Sequence, residues 1–338
     1  MEERKILLIA TGGTIASRHT GKGLSPQISG TELLTFIPEA KSFSRIDVIQ
    51  PFNLDSTNVY WKQWLILAGL IREHYDDYDG FVICHGTDTM AYTAAALSYL
   101  VRHSVKPIVI TGAQRPIDLP DTDARTNLLD SVRFASDKRA HDVCIVFGGM
   151  VIAGTRAKKE RTKSYDAFSS INYPPIAVIQ DRRIIFYIDD KGQAPDPVSF
   201  SDRLDPKVFL YRMIPGSDGK ILDALMDQYD ALIIESFGVG GIPDYGDGSF
   251  REAIRKWTAA GKGVVMATQV PNEGSDMSVY EVGHAVKNAY NIPESYDMTL
   301  EAVIAKTMWI LGKTQDRKEF SELFYTSINH DLLFVPEM

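Results

Sequence analysis

Cysteine and histidine, the side chains most used for disulfides and zinc sites, are scarce in this sequence. Its 338 residues include two cysteines and seven histidines. Cys84 and Cys144 each lie in a short apolar run typical of a buried strand, and His85, His103 and His141 lack the spacing of metal ligands. The sequence therefore predicts neither a disulfide framework nor a bound metal.

Excess positive charge and long hydrophobic segments are also absent. Lysine and arginine number 36 against 44 aspartates and glutamates, which gives a formal net charge of -8 and argues against nucleic acid or anionic lipid as a partner. The apolar run at residues 6–10 is too short to span a membrane, and no cleavage site follows it. We expect a cytoplasmic protein that acts on a small molecule.

Short apolar runs without alternation, each followed by turn residues, are the main structural signal in the first half. They cover residues 6–10, 81–84, 108–110 and 143–147, and such runs suit parallel strands buried on both faces. Helical spacing fills the intervals at 61–75, 90–101 and 124–135. The predicted fold class is α/β, with a larger N-terminal doubly wound domain whose sheet is mostly parallel.

A turn-rich stretch divides the chain, because strand and helix patterns stop before residue 190 and resume near residue 208. We predict an N-terminal domain at 1–185, a linker at 186–207 and a smaller C-terminal α/β domain at 208–338. In the second domain the predicted strands are 208–213, 231–235 and 263–267, and the predicted helices are 221–228, 250–260, 300–311 and 320–326.

Ligands of open parallel sheets collect at the carboxyl ends of strands, and the first strand is followed there by Thr11-Gly12-Gly13-Thr14. Paired glycines allow a tight turn and close approach to a ligand, with the Thr14 hydroxyl beside them. The segment lacks the dinucleotide fingerprint and the P-loop lysine. It indicates a hydroxyl nucleophile or an anion cradle, although a tight turn without chemistry has the same pattern.

The second strand end carries His85-Gly86-Thr87-Asp88-Thr89. One hydroxyl or carboxylate would suffice to cap the following helix. Because the segment has more polar groups than a cap uses, we expect some of them to face a ligand.

Two further polar segments have simpler alternatives. Asp55 and Ser56 lie in a loop and suit the ammonium and carboxylate of an amino acid, but they also suit a helix N-terminus. Lys163 lies among Lys158, Lys159 and Arg161, and such a run is typical of a solvated surface. Spacing alone does not separate Lys163 from its neighbours.

Taken together, TGGTI from residue 11, DST from 55, HGTDTMAYTAAALS from 85 and TKSYDAF from 162 resemble the bacterial-type L-asparaginases, most closely their cytoplasmic type I branch. The resemblance runs along nearly the whole chain. It implies hydrolysis of L-asparagine to L-aspartate and ammonia without a cofactor. It also implies two α/β domains and a homodimer or a tetramer built from dimers.

The same resemblance implies roles for particular residues. Thr14 is expected to be the nucleophile, and Thr87, Asp88 and Lys163 are expected to form a supporting constellation of hydroxyl, carboxylate and ammonium groups. Substrate binding is assigned to the segment 55–57, that is Asp55, Ser56 and Thr57, and to Gly86 in the turn that would supply oxyanion-hole amides.

One departure from the family concerns the loop after TGGTI, where many members place a tyrosine and this chain has Leu24. Gly21, Gly23 and Gly30 still suit a hinged lid.

Two other functions stay open. One is the amidase subunit of a tRNA-dependent amidotransferase, which is expected to carry an additional N-terminal domain. The other is an amino-acid sensor without turnover.

Overall fold

The computed structural model describes residues 3–21, 23–189, 196–243 and 248–333, apart from the side chain of Val282. It separates into two compact units, and the boundary between them in the chain lies between Asp202 and Arg203. This division lies inside the predicted linker 186–207, of which residues 190–195 fall outside the described ranges. The predicted linker bounds themselves stay a prediction.

The first unit contains four α-helices within the described ranges. They are α1 (Gly30–Leu33), α2 (Trp61–Glu73), α3 (Met90–Leu100) and α4 (Ala124–Ala135). Its strands are β1 (Arg4–Ala10), β2 (Ser17–Thr20), β3 (Gly23–Pro26), β4 (Ser44–Ile49), β5 (Gly80–Cys84), β6 (Val101–Arg102), β7 (Ile108–Thr111), β8 (Val143–Phe147), β9 (Met150–Ala153), β10 (Ala157–Lys159), β11 (Phe168–Ser170), β12 (Ala177–Gln180), β13 (Arg183–Phe186) and β14 (Ser199–Phe200).

Eight of these strands form one sheet in the order β13-β12-β9-β8-β7-β5-β1-β4. The five strands from β8 to β4 run parallel, while β9, β12 and β13 continue the sheet antiparallel. Every residue of β5, β7 and β8 is buried, as expected for strands covered on both faces. The predicted doubly wound, mostly parallel sheet is confirmed.

Two pairs of short strands lie outside this sheet and concern the site. The hairpin β2–β3 pairs His19 with Leu24, and β10 pairs antiparallel with β11, placing Lys159 opposite Phe168.

Both cysteines are free and buried in the sheet. Burial raises the pKa of the Cys84 thiol to about 12 and also raises that of Cys144. Both thiols are therefore inert packing groups, as the sequence predicts.

The second unit is a smaller α/β layer with the parallel sheet β15-β16-β17. Its strands are β15 (Val208–Arg212), β16 (Ala231–Ser236) and β17 (Gly263–Thr268), and its α-helices are α5 (Ser249–Ala259), α6 (Glu281–Tyr290), α7 (Leu300–Leu311) and α8 (Arg317–Tyr325). The predicted helix at 221–228 is wrong in type, because Gly219–Leu225 forms a 3₁₀ helix. Helix α6 has no counterpart in the prediction.

Within the described ranges, no helix has both the length and the apolar character needed to cross a membrane.

Candidate active site

The carboxyl ends of neighbouring strands β1, β5 and β7 bring three polar loops to one edge of the large sheet. Backbone hydrogen bonds join them just beyond the strands: Thr11 N donates to Cys84 O at 3.1 Å, and His85 N donates to Thr111 O at 2.7 Å. This edge is where open parallel sheets bind ligands. The loop after β1 and the loop after β5 carry the two threonine motifs.

Glycine allows these loops to touch through their backbones. A methyl group on Gly13 would lie 2.4 Å from Gly86 N, and one on Gly86 would lie 2.6 Å from Ser56 Oγ. Gly13 also has a φ of 76° and donates its N–H to Leu54 O at 2.9 Å. The structure thus brings three of the four sequence motifs, from residues 11, 55 and 85, into direct contact.

Thr87 and Asp88 share one lysine. Lys159 Nζ donates to Thr87 Oγ1 at 2.7 Å and to Asp88 Oδ1 at 2.6 Å. The lysine side chain is 15% exposed, whereas that of Asp88 is 59% exposed. A largely shielded ammonium therefore links a hydroxyl to a carboxylate that faces solvent, which is an arrangement suited to activating the hydroxyl.

The lysine that contacts Thr87 and Asp88 is Lys159, not the expected Lys163. Lys163 lies in the connection 160–167 between β10 and β11, where residues 160–166 are exposed. Side chains alternate between the two faces of a strand, and this alternation gives a signal for Lys159 that sequence reasoning missed. Ala157 is buried, and Lys159, two positions later in β10, projects from the same face.

Thr14 begins a short 3₁₀ turn, Thr14–Ala16, directly after the glycine pair. Its side chain is half-buried. The turn is held by Ala16 N and Ser17 Oγ, which both donate to Gly13 O, at 3.1 and 2.9 Å. Thr14 is thus placed by the loop that contacts Gly86.

The segment 55–57, which is predicted to bind substrate, also stabilises the local fold. Asp55 Oδ1 accepts from both the N–H and the hydroxyl of Thr57, at 2.9 and 3.0 Å, so Asp55 caps the turn that follows it. Asp55 and Thr57 are exposed, but Ser56 is buried against Gly86 and its carbonyl accepts from Thr89 Oγ1 at 2.7 Å. Ser56 is therefore the best fixed residue of the three.

Gln114, which follows β7, is a site residue that sequence reasoning missed. Thr87 Oγ1 donates to Gln114 Oε1 at 3.3 Å. The segment TGAQRP marks only a turn after a strand, and the approach of β7 to β5 supplies the contact.

His85 is a buried, neutral part of the turn. Its Nδ1 lies 2.7 Å from Gly86 O and its Nε2 lies 3.0 Å from Thr93 Oγ1. Because a carbonyl only accepts, Nδ1 carries the proton and donates to it. Desolvation by burial lowers the pKa of His85 to about 4, partly opposed by this hydrogen bond. His85 therefore orients the carbonyl of Gly86 without carrying charge.

The loop expected to act as a hinged lid is the hairpin β2–β3. Leu24 is 45% exposed on β3, and Arg18 on β2 pairs with Glu32. Gly30 lies in a packed position rather than a hinge, since a methyl group there would lie 2.8 Å from Ala10 Cβ.

No group of three or more histidine, cysteine, aspartate or glutamate side chains in the described part of the chain is arranged to hold a metal ion.

Family comparisons agree with this architecture. The family described as asparaginase, N-terminal, matches residues 5–191, and the glutaminase/asparaginase C-terminal domain matches residues 207–324. The chain is 36% identical to an L-asparaginase of Thermococcus kodakarensis, covering 96% of this chain and 98% of the relative. It is also 34% identical to a glutamyl-tRNA(Gln) amidotransferase subunit of Pyrococcus abyssi, covering 96% of this chain and 75% of the relative.

Two solved structures share the fold. The thermostable L-asparaginase from Thermococcus kodakarensis superposes with a TM-score of 0.90 at 34% identity, covering 98% of this chain and 100% of the other. L-asparaginase I from Vibrio cholerae gives a TM-score of 0.87 at 26% identity, with the same coverage.

The two-domain α/β fold and its glycine-lined site thus define an amidohydrolase. The chain belongs to the asparaginase family, and the resemblance to the type I branch is confirmed by its structural neighbours.

The position of Lys159 predicts unequal effects of two lysine substitutions. Lys159→Met removes the ammonium from Thr87 and Asp88, so we expect amide hydrolysis by the protein to fall by about 10²–10⁴-fold, the usual range for a proton-transferring group. Lys163→Met is the matched control and should stay within about twofold of the unchanged protein. Steady-state ammonia release measures both, and the reverse order of effects would restore Lys163 to the site.

Burial of His85 predicts a pH-dependent stability. The imidazole pKa is lowered on folding from 6.5 to about 4, so the unfolded chain binds the proton more tightly between these values. The contribution of His85 is fully present above pH 6.5 and is lost as the pH falls towards 4. Its size is about 3 kcal/mol, at about 1.4 kcal/mol per pKa unit.

Denaturant unfolding at pH 7.0 and 4.5 tests this for His85→Gln, with the exposed His19→Gln as control. The free energy of unfolding should depend less on pH in His85→Gln than in the control. Equal pH dependence in the two variants would show that His85 is protonated in the folded protein.

Proposed function

We propose that this protein is an L-asparaginase that hydrolyses L-asparagine to L-aspartate and ammonia through a threonine nucleophile and a covalent acyl-enzyme. The observation that carries the proposal is the contact of Lys159, from β10, with Thr87 and Asp88 in the turn that touches the TGGT loop of Thr14. Two hydroxyl-bearing turns and one ammonium fit the cleavage of an amide without a metal.

In the first step, Thr14 Oγ attacks the side-chain amide carbon of asparagine. The hydroxyl proton passes to the leaving nitrogen as the C–N bond breaks, ammonia departs and an aspartyl ester remains on Thr14. In the second step, water adds to the ester, the bond to Oγ breaks and the proton returns to Thr14. One water is consumed per amide cleaved.

Lys159 replaces Lys163 in this scheme. Its ammonium donates to Thr87 Oγ1 and so stabilises negative charge that develops on that oxygen. Asp88 accepts from the same ammonium and fixes its direction. Thr87 would then relay protons at the reacting amide, while backbone N–H groups of the 86–88 turn would bind the oxyanion.

Substrate recognition is assigned to Asp55, Ser56, Thr57 and Gly86. Carboxylates of the site bind the α-ammonium, and hydroxyl and amide donors bind the α-carboxylate. Binding of both the α-ammonium and the α-carboxylate favours a free amino acid over a peptide, in which these groups are blocked. It also disfavours glutamine, because one more methylene displaces the amide, at a cost of about 1–3 kcal/mol.

The proposal includes a cytoplasmic location, a small molecule as the only substrate, no cofactor, and a homodimer or dimer-of-dimers assembly. These follow from the family resemblance and from the acidic composition of the chain.

Ammonia release from L-asparagine and L-glutamine, measured side by side with EDTA present, tests the proposed activity. We expect release that is much faster from asparagine and unaffected by EDTA, because the proposed chemistry uses protein groups and no metal ion. Thr14→Ala protein prepared in parallel controls for contaminating host enzyme. Absence of release from asparagine would contradict the proposal.

Two alternatives have their own outcomes in this experiment. Similarity to a glutamyl-tRNA(Gln) amidotransferase chain favours an amidase that works with a partner protein, which would release little ammonia alone. A sensor would bind aspartate without releasing ammonia, as calorimetry would show.

The two-threonine mechanism predicts that Thr14→Ala and Thr87→Ala each lower kcat by more than about 10³-fold, since each removes a reacting hydroxyl. Thr122→Ala, whose hydroxyl only donates to Arg115 O at 3.0 Å and accepts from Ala124 N, is the control and should keep its kcat. Near-UV circular dichroism checks that all three variants are folded. Turnover like that of the unchanged protein in either site variant would exclude the mechanism.

A further inference from the structure

The side chain of Gln114 joins Thr87 to the connection that follows Lys159. Its Oε1 accepts from Thr87 Oγ1 at 3.3 Å, while its Nε2 donates to Ser164 O at 3.1 Å and to Arg161 O at 3.3 Å. One amide therefore links the loop after β5 to the connection between β10 and β11.

The orientation of this amide is determined by its neighbours. Backbone carbonyls only accept hydrogen bonds, so the NH₂ group must face Arg161 and Ser164, and the oxygen must face Thr87. The backbone of Gln114 is also fixed, because its N–H donates to Asp123 Oδ2 at 2.9 Å, and Asp123 accepts in turn from Asn127 Nδ2 at 3.2 Å.

The hydroxyl of Thr87 has one proton and two lone pairs. Lys159 Nζ donates to one lone pair at 2.7 Å, and the proton is directed to Gln114 Oε1. The second lone pair is then the part of this hydroxyl that can face a substrate. Without an acceptor at residue 114, the hydroxyl proton of Thr87 would be free to rotate towards the substrate instead.

We propose that Gln114 is a positioning residue that holds the Thr87 hydroxyl with a lone pair, rather than its proton, towards the substrate. This rests on the proposed function and assigns to that site a residue outside the threonine motifs. The same amide fastens the connection 160–167 beside Lys159, so Gln114 also keeps the ammonium within reach of Thr87.

Gln114→Met tests the proposal, because methionine has a similar length but is only a weak acceptor for Thr87 and cannot donate to the carbonyls. We expect kcat for asparagine to fall about 10- to 100-fold, the size of a small misplacement of a reacting group, with KM within about twofold. The matched control is Gln269→Met, since Gln269 Nε2 also donates to two carbonyls, Met213 O at 2.6 Å and Glu235 O at 3.0 Å. It should lose comparable thermal stability and keep its kcat.

Gln114→Glu tests the fastening of the connection 160–167 separately from the acceptor role. An ionised carboxylate still accepts from Thr87 but cannot donate to Arg161 O or Ser164 O, whereas the protonated acid accepts from Thr87 and also donates to one of the two carbonyls. The kcat of this variant relative to the unchanged protein should therefore rise as the pH falls through the pKa of the introduced carboxyl. The ratio should stay flat for Gln114→Met.

The unchanged protein is assayed first, so that the two proposals can fail separately. If it releases no ammonia from asparagine, the proposed function is wrong and the role of Gln114 falls with it. If it is active, an unaltered kcat in Gln114→Met overturns the role of Gln114 alone. A reduced kcat in both methionine variants would likewise reduce Gln114 to a packing residue. A pH-independent ratio for Gln114→Glu would show that Gln114 does not fasten the connection 160–167.

Discussion

The contact between the backbones of Gly13 and Gly86 is the constraint on which the site depends. With 2.4 Å between Gly86 N and the place where a methyl on Gly13 would stand, no side chain fits between these two turns. Thr14 and Thr87 each follow one of these glycines. The distance between the turns is therefore set by main-chain packing at the ends of β1 and β5, not by flexible side chains.

Elements with strong local signals were predicted well. Helices α4 and α7 have the predicted bounds, and β1, β5, β7 and β8 differ from their predictions by two residues or fewer, because buried parallel strands are continuous apolar runs. Strand β4 and the antiparallel strands β9, β12 and β13 were not predicted. Strands β4 and β13 are only partly buried, so their composition gives a weak signal.

Sequence reasoning located the turns of the candidate site where one motif contains its own geometry, and it missed residues that contacts between distant segments bring to Thr87. The turns at Gly13 and Gly86 follow directly from glycines at strand ends. Gln114 reaches Thr87 through the pairing of β5 with β7, and Lys159 reaches it from β10, in a separate two-stranded sheet. A run of four basic residues does not contain this information, and neither does a single glutamine in a turn.

The lysine and the threonines belong to separate elements. Thr14 and Thr87 extend from the eight-stranded sheet, while Lys159 belongs to a two-stranded ribbon outside it. Small peripheral elements open locally at a lower free energy than the whole domain unfolds. Heating should therefore separate the ammonium from the hydroxyl while the sheet stays folded, so that reversible inactivation precedes cooperative melting.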